Sequence, residues 1–516
     1  MADAHALPRL TGAAAPLTGA ALYLAAILIG FGNFLVVLDL TIANVSVPSI
    51  AGALGVSPSQ GTWVITAYAV AEAITVPLTA WLATRFGAQR VFIFCYLAFA
   101  ALSLFCGLAN SLGMLIGGRV LLGLVGGPII PLSQMLMLRI FPPEKAAIGN
   151  VLWAMTTLVG PVVGPILGGV ICDTIGWQWI FFIKVPLAAA GGFAVFSLLR
   201  RQPDPTQRAA IDIVGLGLLV LWVGALQIML DEGRNLDWFA SHEIQALAAI
   251  AGVGFAAFVI WELTEKNPIV DLRIFRHRGF VASALTFSAG YGGLFAILII
   301  LPLWLQSSMG YTATWAGYAT GFLGLLSLAA APLVGWATQK FDPRAVVSAG
   351  LVGLALTAMW RLSFTPDLTF LQLAAPNILT GLFLVMFLVP VAGLCMASVN
   401  PNEQANAAGA SNFMRTLAGA FAVSLVQTGW FNSMRVNQTE LVNAMQNDHA
   451  ALDAATAAGL PPQAGTVLLY GLVEGQSVML ATLNMFAAIA ICFLFSAALI
   501  WFAPKPKGPI DISGRH

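Results

Sequence analysis

The chain has 516 residues, of which 59% are hydrophobic and only 9% are charged. A soluble domain carries roughly 25% charged residues, so this composition excludes a soluble protein. The 23 basic and 22 acidic residues nearly balance, which excludes the basic surface that binding to nucleic acid requires. The sequence therefore predicts an integral membrane protein of the all-α class.

Apolar runs long enough to cross a bilayer recur along the whole chain. A helical span needs roughly 20 residues. By that criterion the sequence predicts fourteen transmembrane helices, grouped as six, two and six. The predicted spans are 20–49, 60–83, 90–110, 111–138, 145–172, 177–199, 211–230, 244–263, 280–307, 314–338, 345–362, 368–398, 403–431 and 472–502. The first run is too long for the core of a signal peptide, so we expect it to remain as a span.

These spans divide the chain into five regions. The regions are a cytoplasmic N-terminus at 1–19, a six-helix half at 20–200, a linker with two extra transmembrane helices at 201–265, a second six-helix half at 266–503 and a cytoplasmic tail at 504–516. Cytoplasmic segments of membrane proteins are rich in Lys and Arg. With both termini inside, the outer segments hold only Arg234, Arg361 and Arg435 of the 23 basic residues. A long outer loop covers about 432–470, with room for a short surface helix.

Two ten-residue segments, 255 positions apart, share the pattern P-L-x-[AG]-W-x-x-x-[KR]-F. They are Pro77–Phe86 and Pro332–Phe341, and each ends a predicted span on the cytoplasmic side. Equal depth and equal orientation favour duplication over coincidence. Parallel halves related by an axis along the membrane normal are known in secondary transporters.

The sequence also limits how transport could be driven. No G-x-x-x-x-G-K-[ST] loop occurs, which argues against ATP and against any nucleotide cofactor. All five histidines lie outside the predicted spans, so a proton relay must use carboxylates. The five cysteines lie apart in apolar runs, and we expect neither disulfides nor a metal site.

Three ionisable side chains at membrane depth are the candidates for proton coupling: Asp39, Glu72 and Arg119. Such a group costs about 2.5–3.5 kcal/mol or more in the bilayer, so it needs a partner or a function. Asp39 and Arg119 lie at similar depths and can pair, either as a static link between helices or as part of the coupling. Glu72 lies near the midplane of the second span, where apolar surroundings favour its protonated form. It is either a proton carrier or a neutral hydrogen-bonding group.

The fifth predicted span is rich in glycine and proline between Gly160 and Gly169. Prolines remove backbone donors and kink a helix, and glycines four residues apart form a smooth packing face. We expect this stretch to bend or seal an outer gate, although close packing alone would explain the glycines. The gating candidates are Gly160, Pro161, Gly164, Pro165 and Gly168.

Further side chains at membrane depth are candidates for a cargo cavity between the halves. Aromatic rings and methionines bind apolar molecules with little geometric demand. Ordinary packing is the alternative for each of them, and Arg415 either binds a carboxylate of the cargo or has a structural role. The candidates are Phe34, Asn44, Trp63, Tyr68, Met135, Tyr291, Trp304 and Arg415.

The sequence resembles the fourteen-span drug:proton antiporter branch of the major facilitator superfamily, and most closely its EmrB-type multidrug efflux pumps. The resemblance rests on Leu38–Pro48 in the first span, on Arg119–Gly123 with Pro131–Gln134 in the fourth, and on Gly160–Gly169 in the fifth. It implies the major facilitator fold and proton-coupled export of amphipathic drugs or toxic small molecules by alternating access. An exporter of an endogenous metabolite, a siderophore or a lipid is the alternative on the same fold.

The resemblance also implies a location and partners. It implies the bacterial inner membrane, a periplasmic adaptor and an outer-membrane channel as partners, no cofactor, and proton coupling through Asp39 and Arg119. The sequence departs from the family pattern at Ala80 and Thr84 of the inner loop, and at Lys184, where an asparagine is usual. We expect Lys184 to favour cargo with an acidic group.

Overall fold

The structure, a computed structural model, describes most of the chain. The described residues are 19–142, 146–200, 202–206, 211–233, 236–266, 268–365, 367–400, 403–446, 457 and 461–505. Residues 1–18 of the predicted N-terminal region at 1–19, residues 506–516 of the predicted tail at 504–516, Arg234 and the centre of the predicted outer loop lie outside them. In the described part the regular structure is helical throughout.

The first half is built from long helices, one of which is interrupted. The helix of the second predicted span ends at Thr75, and a new helix begins at Thr79, because Pro77 between them lacks an amide hydrogen. Ser111 caps the start of the helix of the fourth predicted span by accepting a hydrogen bond from the Met114 amide at 3.3 Å. The helices are α1 (Gly19–Leu54), α2 (Pro58–Gly61), α3 (Trp63–Thr75), α4 (Thr79–Phe86), α5 (Ala88–Gly107), α6 (Leu112–Ile140), α7 (Ala146–Thr174), α8 (Trp179–Phe182) and α9 (Lys184–Leu199).

The inserted pair and the second half follow in the predicted order. The inserted helices are α10 (Ile213–Glu232) and α11 (His242–Thr264). The second half contains α12 (Arg278–Ser307), α13 (Ala313–Gly321), α14 (Leu323–Lys340), α15 (Pro343–Trp360), α16 (Phe370–Ala397), α17 (Gln404–Gln446) and α18 (Pro462–Leu499).

Ten helical segments of the described chain are long and apolar enough to cross a membrane. The other four predicted spans fall on helices that are interrupted, shorter in their apolar part or more polar, namely α3 with α4, α7, α13 with α14, and α17. The all-helical class is confirmed, whereas the count of fourteen spans stays a prediction.

Two predicted outer segments are more ordered than open loops. The stretch 432–470 is helical at both ends, because α17 continues to Gln446 and α18 begins at Pro462. Arg361 lies in a short 3-10 helix between α15 and α16, where its side chain is fully buried. Its guanidinium donates to the Thr357 carbonyl at 2.8 Å and to Asn377 Oδ1 at 2.7 Å, which compensates for the loss of water.

Each half has its own apolar core, and a smaller cluster joins the halves. The core of the second half also includes Trp222 and Phe258 of the inserted pair. The joining cluster contains Ala43, Val47, Ile65, Ile299 and Val423, from α1, α3, α12 and α17. The halves therefore pack against each other along these four helices.

The two copies of the repeated segment adopt the same local packing. The rings of Trp81 and Phe86 pack edge to face at 5.7 Å, and those of Trp336 and Phe341 do so at 6.1 Å. The helix that follows each copy, α5 or α15, is also attached by a side-chain hydrogen bond to the carbonyl of a distant segment. Gln89 Nε2 donates to the Pro203 carbonyl at 3.3 Å, and Arg344 Nη1, 255 positions later, donates to the Ala503 carbonyl at 2.8 Å. This shared packing supports the duplication.

Candidate proton and cargo site

Asp39 lies in the middle of α1 and has no solvent exposure. Arg119 Nη1 of α6 is 2.5 Å from Asp39 Oδ2, and the Lys184 ammonium of α9 contacts Asp39 Oδ1. All three side chains are fully buried. We call Asp39, Arg119 and Lys184 the buried charge cluster. Its formal charge is one positive unit when all three groups are ionised.

Aromatic rings and a carbonyl hold the two cations in place. Arg119 Nε donates to the Val64 carbonyl at 2.8 Å, and the guanidinium carbon is 4.3 Å from the centre of the Tyr68 ring. The Lys184 ammonium is 4.7 Å from the centre of the Phe181 ring. Ring faces are negative, so they stabilise cations that water cannot reach.

Glycines of α6 bring α3 unusually close. A methyl group at Gly123 would lie 2.9 Å from the Ala71 Cβ, and one at Gly127 would lie 2.9 Å from the Glu72 carbonyl oxygen. Gly126 leaves room for the hydroxyl of Tyr68. The close contact places Tyr68 beneath Arg119 and leaves Glu72 one turn further along α3.

Glu72 is the second buried acid, and it lies at the interface between the halves. Its side chain is 2% exposed, and Oε2 has no hydrogen-bond partner among the described residues. The charge of Arg415, on α17 of the other half, acts on it. The guanidinium carbon of Arg415 is 4.6 Å from the centre of the Tyr291 ring, and its Nε also has no partner in the described part of the chain.

The remaining cavity candidates occupy varied surroundings. Phe34 is half-buried and stacks on Phe31, with ring centres 5.6 Å apart. Asn44 is buried. Trp63 borders a small opening near the outer end, and Met135 is 49% exposed.

Trp304 is placed differently from the prediction. Its side chain is 1% exposed and stacks on Phe364 within the apolar core of the second half, with ring centres 6.1 Å apart. The prediction that Trp304 lines the cavity does not match this packing. The physical reason is that a large ring on a buried helix face is fully satisfied by apolar neighbours.

Lys184 is the functional candidate whose place the sequence did not reveal. Its departure from the family pattern predicts a role in cargo selection, but its ammonium contacts the carboxylate of Asp39. The pairing depends on how α9 packs against α1, which a single sequence does not specify. One available signal was charge balance, since a second buried cation in the first half also requires an anion.

The glycine–proline stretch of α7 packs against α1. Thr41 Oγ1 donates to the Gly160 carbonyl at 3.1 Å, and a methyl group at Gly168 would lie 2.8 Å from the Ile42 carbonyl oxygen. On the other side, Pro165 faces Gly317 of α13 in the second half. Pro161 lies within α7, but its side chain is outside the described ones. The gating role of this stretch remains a prediction.

Gly164→Ala is expected to lower both stability and export. The added methyl group would lie 2.9 Å from the Thr41 Cβ and 3.1 Å from the Ile42 backbone nitrogen, so α7 would have to move away from α1. Overpacking of this kind costs about 1–3 kcal/mol. Gly117→Ala on α6 is the matched control, because nothing lies within 4 Å of its added methyl group. Equal thermal unfolding of the two variants would contradict the expectation.

Hydrogen bonds join the two halves at the ends that the sequence predicts to be outer. They run from Thr62 Oγ1 to Gln427 Oε1 at 2.7 Å, from Gln306 Nε2 to the Val45 carbonyl at 3.0 Å, and from the Thr314 amide to Asp173 Oδ2 at 2.6 Å. Separating the halves at this end would break these bonds.

At the end predicted to be cytoplasmic, an aspartate from a distant segment caps α5. Asp204 accepts hydrogen bonds from the amides of Gln89 at 3.3 Å and Arg90 at 3.2 Å. It also lies 3.7 Å from Arg139 Nη1. Gly87, with φ of 96°, leaves space for it. In the second half, hydrogen bonds from Arg344 hold the pKa of Asp342 below its usual value.

Asp204→Ala is expected to destabilise the protein by about 1 kcal/mol through loss of this cap. Asp367→Ala, at an exposed position before α16, is the control and is expected to be neutral. Thermal unfolding in detergent measures both. An unchanged melting temperature for Asp204→Ala would show that the cap contributes nothing.

Comparison with known proteins places this geometry in a family. Residues 29–423 match the Major Facilitator Superfamily. The chain belongs to this superfamily. The Escherichia coli (strain K12) multidrug export protein EmrB is 41% identical to it over 498 residues, which cover 96% of this chain and 97% of that protein. The Neisseria gonorrhoeae fatty acid resistance protein FarB is 39% identical over 496 residues, which cover 95% and 98%.

Solved structures support the same fold. The crystal structure of a bacterial homolog of the human lysosomal transporter Spinster, inward-facing and unoccupied, has a TM-score of 0.60 at 16% identity. The match covers 94% of this chain and 98% of that one. The major facilitator fold and the EmrB-type resemblance are therefore confirmed. Because the superfamily consists of membrane transporters, the chain is a multi-pass transporter of small molecules and not an enzyme.

Proposed function

We propose that the protein is a proton-driven exporter of amphipathic small molecules that works by alternating access. The names of the EmrB and FarB relatives support export and resistance. The single observation that supports the proton coupling is the environment of Glu72. It is a buried carboxylic acid that lies between the halves, is subject to the charge of Arg415 and keeps one oxygen unpartnered among the described residues.

In the proposed cycle, ionised Glu72 and Arg415 attract each other across the interface and favour the arrangement in which the outer ends are joined. Protonation neutralises Glu72 and removes this attraction. Arg415 then no longer holds the first half, and the halves can separate at the outer end. Release of the proton to the cytoplasm restores the attraction. Within the first half, Asp39 is linked to α3, which carries Glu72, through Arg119, whose guanidinium lies over Tyr68.

The charges support an acidic or neutral amphipathic cargo over a cationic one. The carboxylate of Asp39 already has two cationic partners, Arg119 and Lys184. Arg415 offers an unpartnered nitrogen beside the Tyr291 ring. An acidic head group would bind Arg415, and an apolar body would lie against nearby rings. We propose Phe34, Asn44, Trp63, Tyr68 and Met135 as further lining residues, whereas Trp304 is omitted because of its packing.

We propose the bacterial inner membrane as the location, with both termini in the cytoplasm. The basic residues at the predicted inner ends of the described helices support this orientation: Arg85, Arg90, Arg139, Lys340 and Arg344. Cysteine labelling from outside in intact cells tests it. A cysteine at exposed Ser363 should be labelled and one at Arg85 should not, and the reverse result would refute the orientation.

The EmrB-type resemblance suggests a periplasmic adaptor and an outer-membrane channel as partners. We propose that the extensions of α17 and α18 beyond the predicted membrane, around 432–446 and 462–470, form the docking surface. Shortening both helices by two matched turns should abolish export from cells while transport by the purified protein in vesicles remains. Full export from cells with the shortened protein would refute this role.

The proposed function is tested by transport in reconstituted vesicles. With an acid interior imposed on inside-out vesicles, we expect an acidic amphipathic dye to accumulate and protons to leave in exchange. One proton moving through about 100 mV provides about 2.3 kcal/mol, which sustains roughly 50-fold accumulation. Equal dye uptake with and without the gradient would refute proton-driven export.

The alternative is export of an endogenous metabolite, a siderophore or a lipid on the same fold, and the name of the fatty acid resistance relative supports the lipid among these. Deleting the gene distinguishes the two. Drug export predicts hypersensitivity to added drugs without a change in secreted lipids, whereas metabolite export predicts the opposite pattern.

A further inference from the structure

We propose that the inserted helix α10 is a moving part of the outer gate: it travels with α17 of the second half, although the chain runs into it from the first half. In this position it covers the seam between α3 and α17, so that cargo leaves to the outer solution instead of the bilayer. The inference rests on the proposed function, since it concerns the opening step of the same transport cycle.

Polar contacts within the membrane join α10 to α17. Gln227 Nε2 of α10 contacts Ser424 Oγ, and Thr428 Oγ1 donates to the Leu230 carbonyl at 3.3 Å. Gln227 Nε2 also donates to Asp231 Oδ2 at 3.2 Å, which fixes the amide orientation. We call Gln227, Leu230, Asp231, Ser424 and Thr428 the outer clamp.

The contact between α3 and α17 is of another kind. Thr62 Oγ1 donates to Gln427 Oε1 at 2.7 Å, and Gln427 Nε2 has no partner among the described residues. Both side chains border a small opening near the outer end. Its other polar lining consists of Ser59, Gln60, Asp231, Ser424 and Thr428, so the outer clamp borders the same opening.

The number of polar contacts determines which pair of helices can part at the lower cost. Two contacts join α10 to α17, and Gln227 and Ser424 are 2% and 1% exposed. Separating them would leave amide and hydroxyl groups unpaired, at a cost of about 1–3 kcal/mol each. Among the described residues, one side-chain hydrogen bond joins Thr62 to Gln427, and Gln427 Nε2 already lacks a partner. Opening should therefore part α3 from α17 and leave the outer clamp closed.

The packing of α10 is consistent with a screen over the seam. Its buried residues Leu219, Trp222 and Val223 share an apolar cluster with Ala73 of α3 and with residues of α17. Its opposite face is exposed and apolar, as a lipid-facing surface should be. The exposed residues on α10 are Ile213, Val214, Val220, Leu221 and Ile228.

Two cysteine pairs in a variant without the five native cysteines test the inference. Leu230→Cys with Thr428→Cys links α10 to α17, and Thr62→Cys with Gln427→Cys links α3 to α17. Export is measured in inside-out vesicles before linking with a short thiol reagent, after linking and after reduction. We expect the linked 230/428 pair to export at the rate of its reduced form, and the linked 62/427 pair to stop until it is reduced.

Loss of export on linking positions 230 and 428 would overturn the inference, because it would mean that α10 stays with the first half. A second variant tests the clamp itself. Gln227→Leu should slow export severalfold, and linking 230 to 428 in that variant should restore it. Full export by Gln227→Leu, or no recovery on linking, would also overturn the inference. If the unlinked parent does not export at all, it is the proposed function that fails.

Discussion

Asp39→Asn is expected to abolish uphill export and to destabilise the protein strongly. The carboxylate is the shared anion for Arg119 and Lys184 in a fully buried site. Asparagine would leave two cations close together without a counter-charge. Removing one partner of a buried ion pair costs about 3–5 kcal/mol. The measurements are thermal unfolding in detergent and cargo accumulation in inside-out vesicles.

A charge-restoring variant separates stability from coupling. Asp39→Asn combined with Lys184→Met removes one of the two unpaired cations, so we expect it to regain part of the lost stability. It should still fail to accumulate cargo, because no carboxylate remains in the cluster. Lys184→Met alone keeps the Arg119–Asp39 pair and should retain most of the stability. Full uphill export by the double variant would show that Asp39 has only a structural role.

Glu72→Gln is expected to uncouple export from the proton gradient while leaving the protein folded. Glutamine has nearly the same shape but cannot gain or lose a proton, and Glu72 Oε2 has no hydrogen bond to lose among the described residues. The accumulation ratio should fall from roughly 50 to about 1, since the energy of the gradient is no longer available. Exchange of cargo across the membrane without a gradient should continue.

Glu262→Gln is the matched control for this prediction. Glu262 is also a fully buried glutamate, but it lies on the inserted helix α11 and accepts a hydrogen bond from the Val270 amide at 3.0 Å. Glutamine can accept the same bond, so accumulation should be normal. If both variants lost coupling equally, the loss would be a general effect of neutralising a buried acid. Glu72 would then have no specific role in coupling.

Depth along the helices was enough to predict some of the site. Asp39 and Arg119 were matched because both lie a similar distance from the outer surface, and the structure places them 2.5 Å apart. Hydropathy runs likewise located the helices, since the cost of unpaired backbone groups in lipid forces a helical span. These arguments need only the chain and the membrane thickness.

Tertiary packing accounts for the predictions that failed. Lys184 was assigned to cargo selection because an asparagine is usual there in the family, yet its ammonium contacts the carboxylate of Asp39 on another helix. Trp304 was assigned by residue type, although a stacked ring in a core has the same sequence appearance as a ring that lines a cavity. The Asp204 cap joins positions more than a hundred residues apart, and no local pattern predicts it.

Cargo accumulation by the double variant Asp39→Asn, Glu72→Gln, compared with the unaltered protein at equal membrane content, is the most direct test of coupling through buried carboxylates. The account predicts that the unaltered protein concentrates cargo in acid-loaded inside-out vesicles and loses this ability when an uncoupler is added. The double variant should behave like vesicles without transporter, with or without the uncoupler. Concentration of cargo by the double variant that still collapses with the uncoupler would contradict the account.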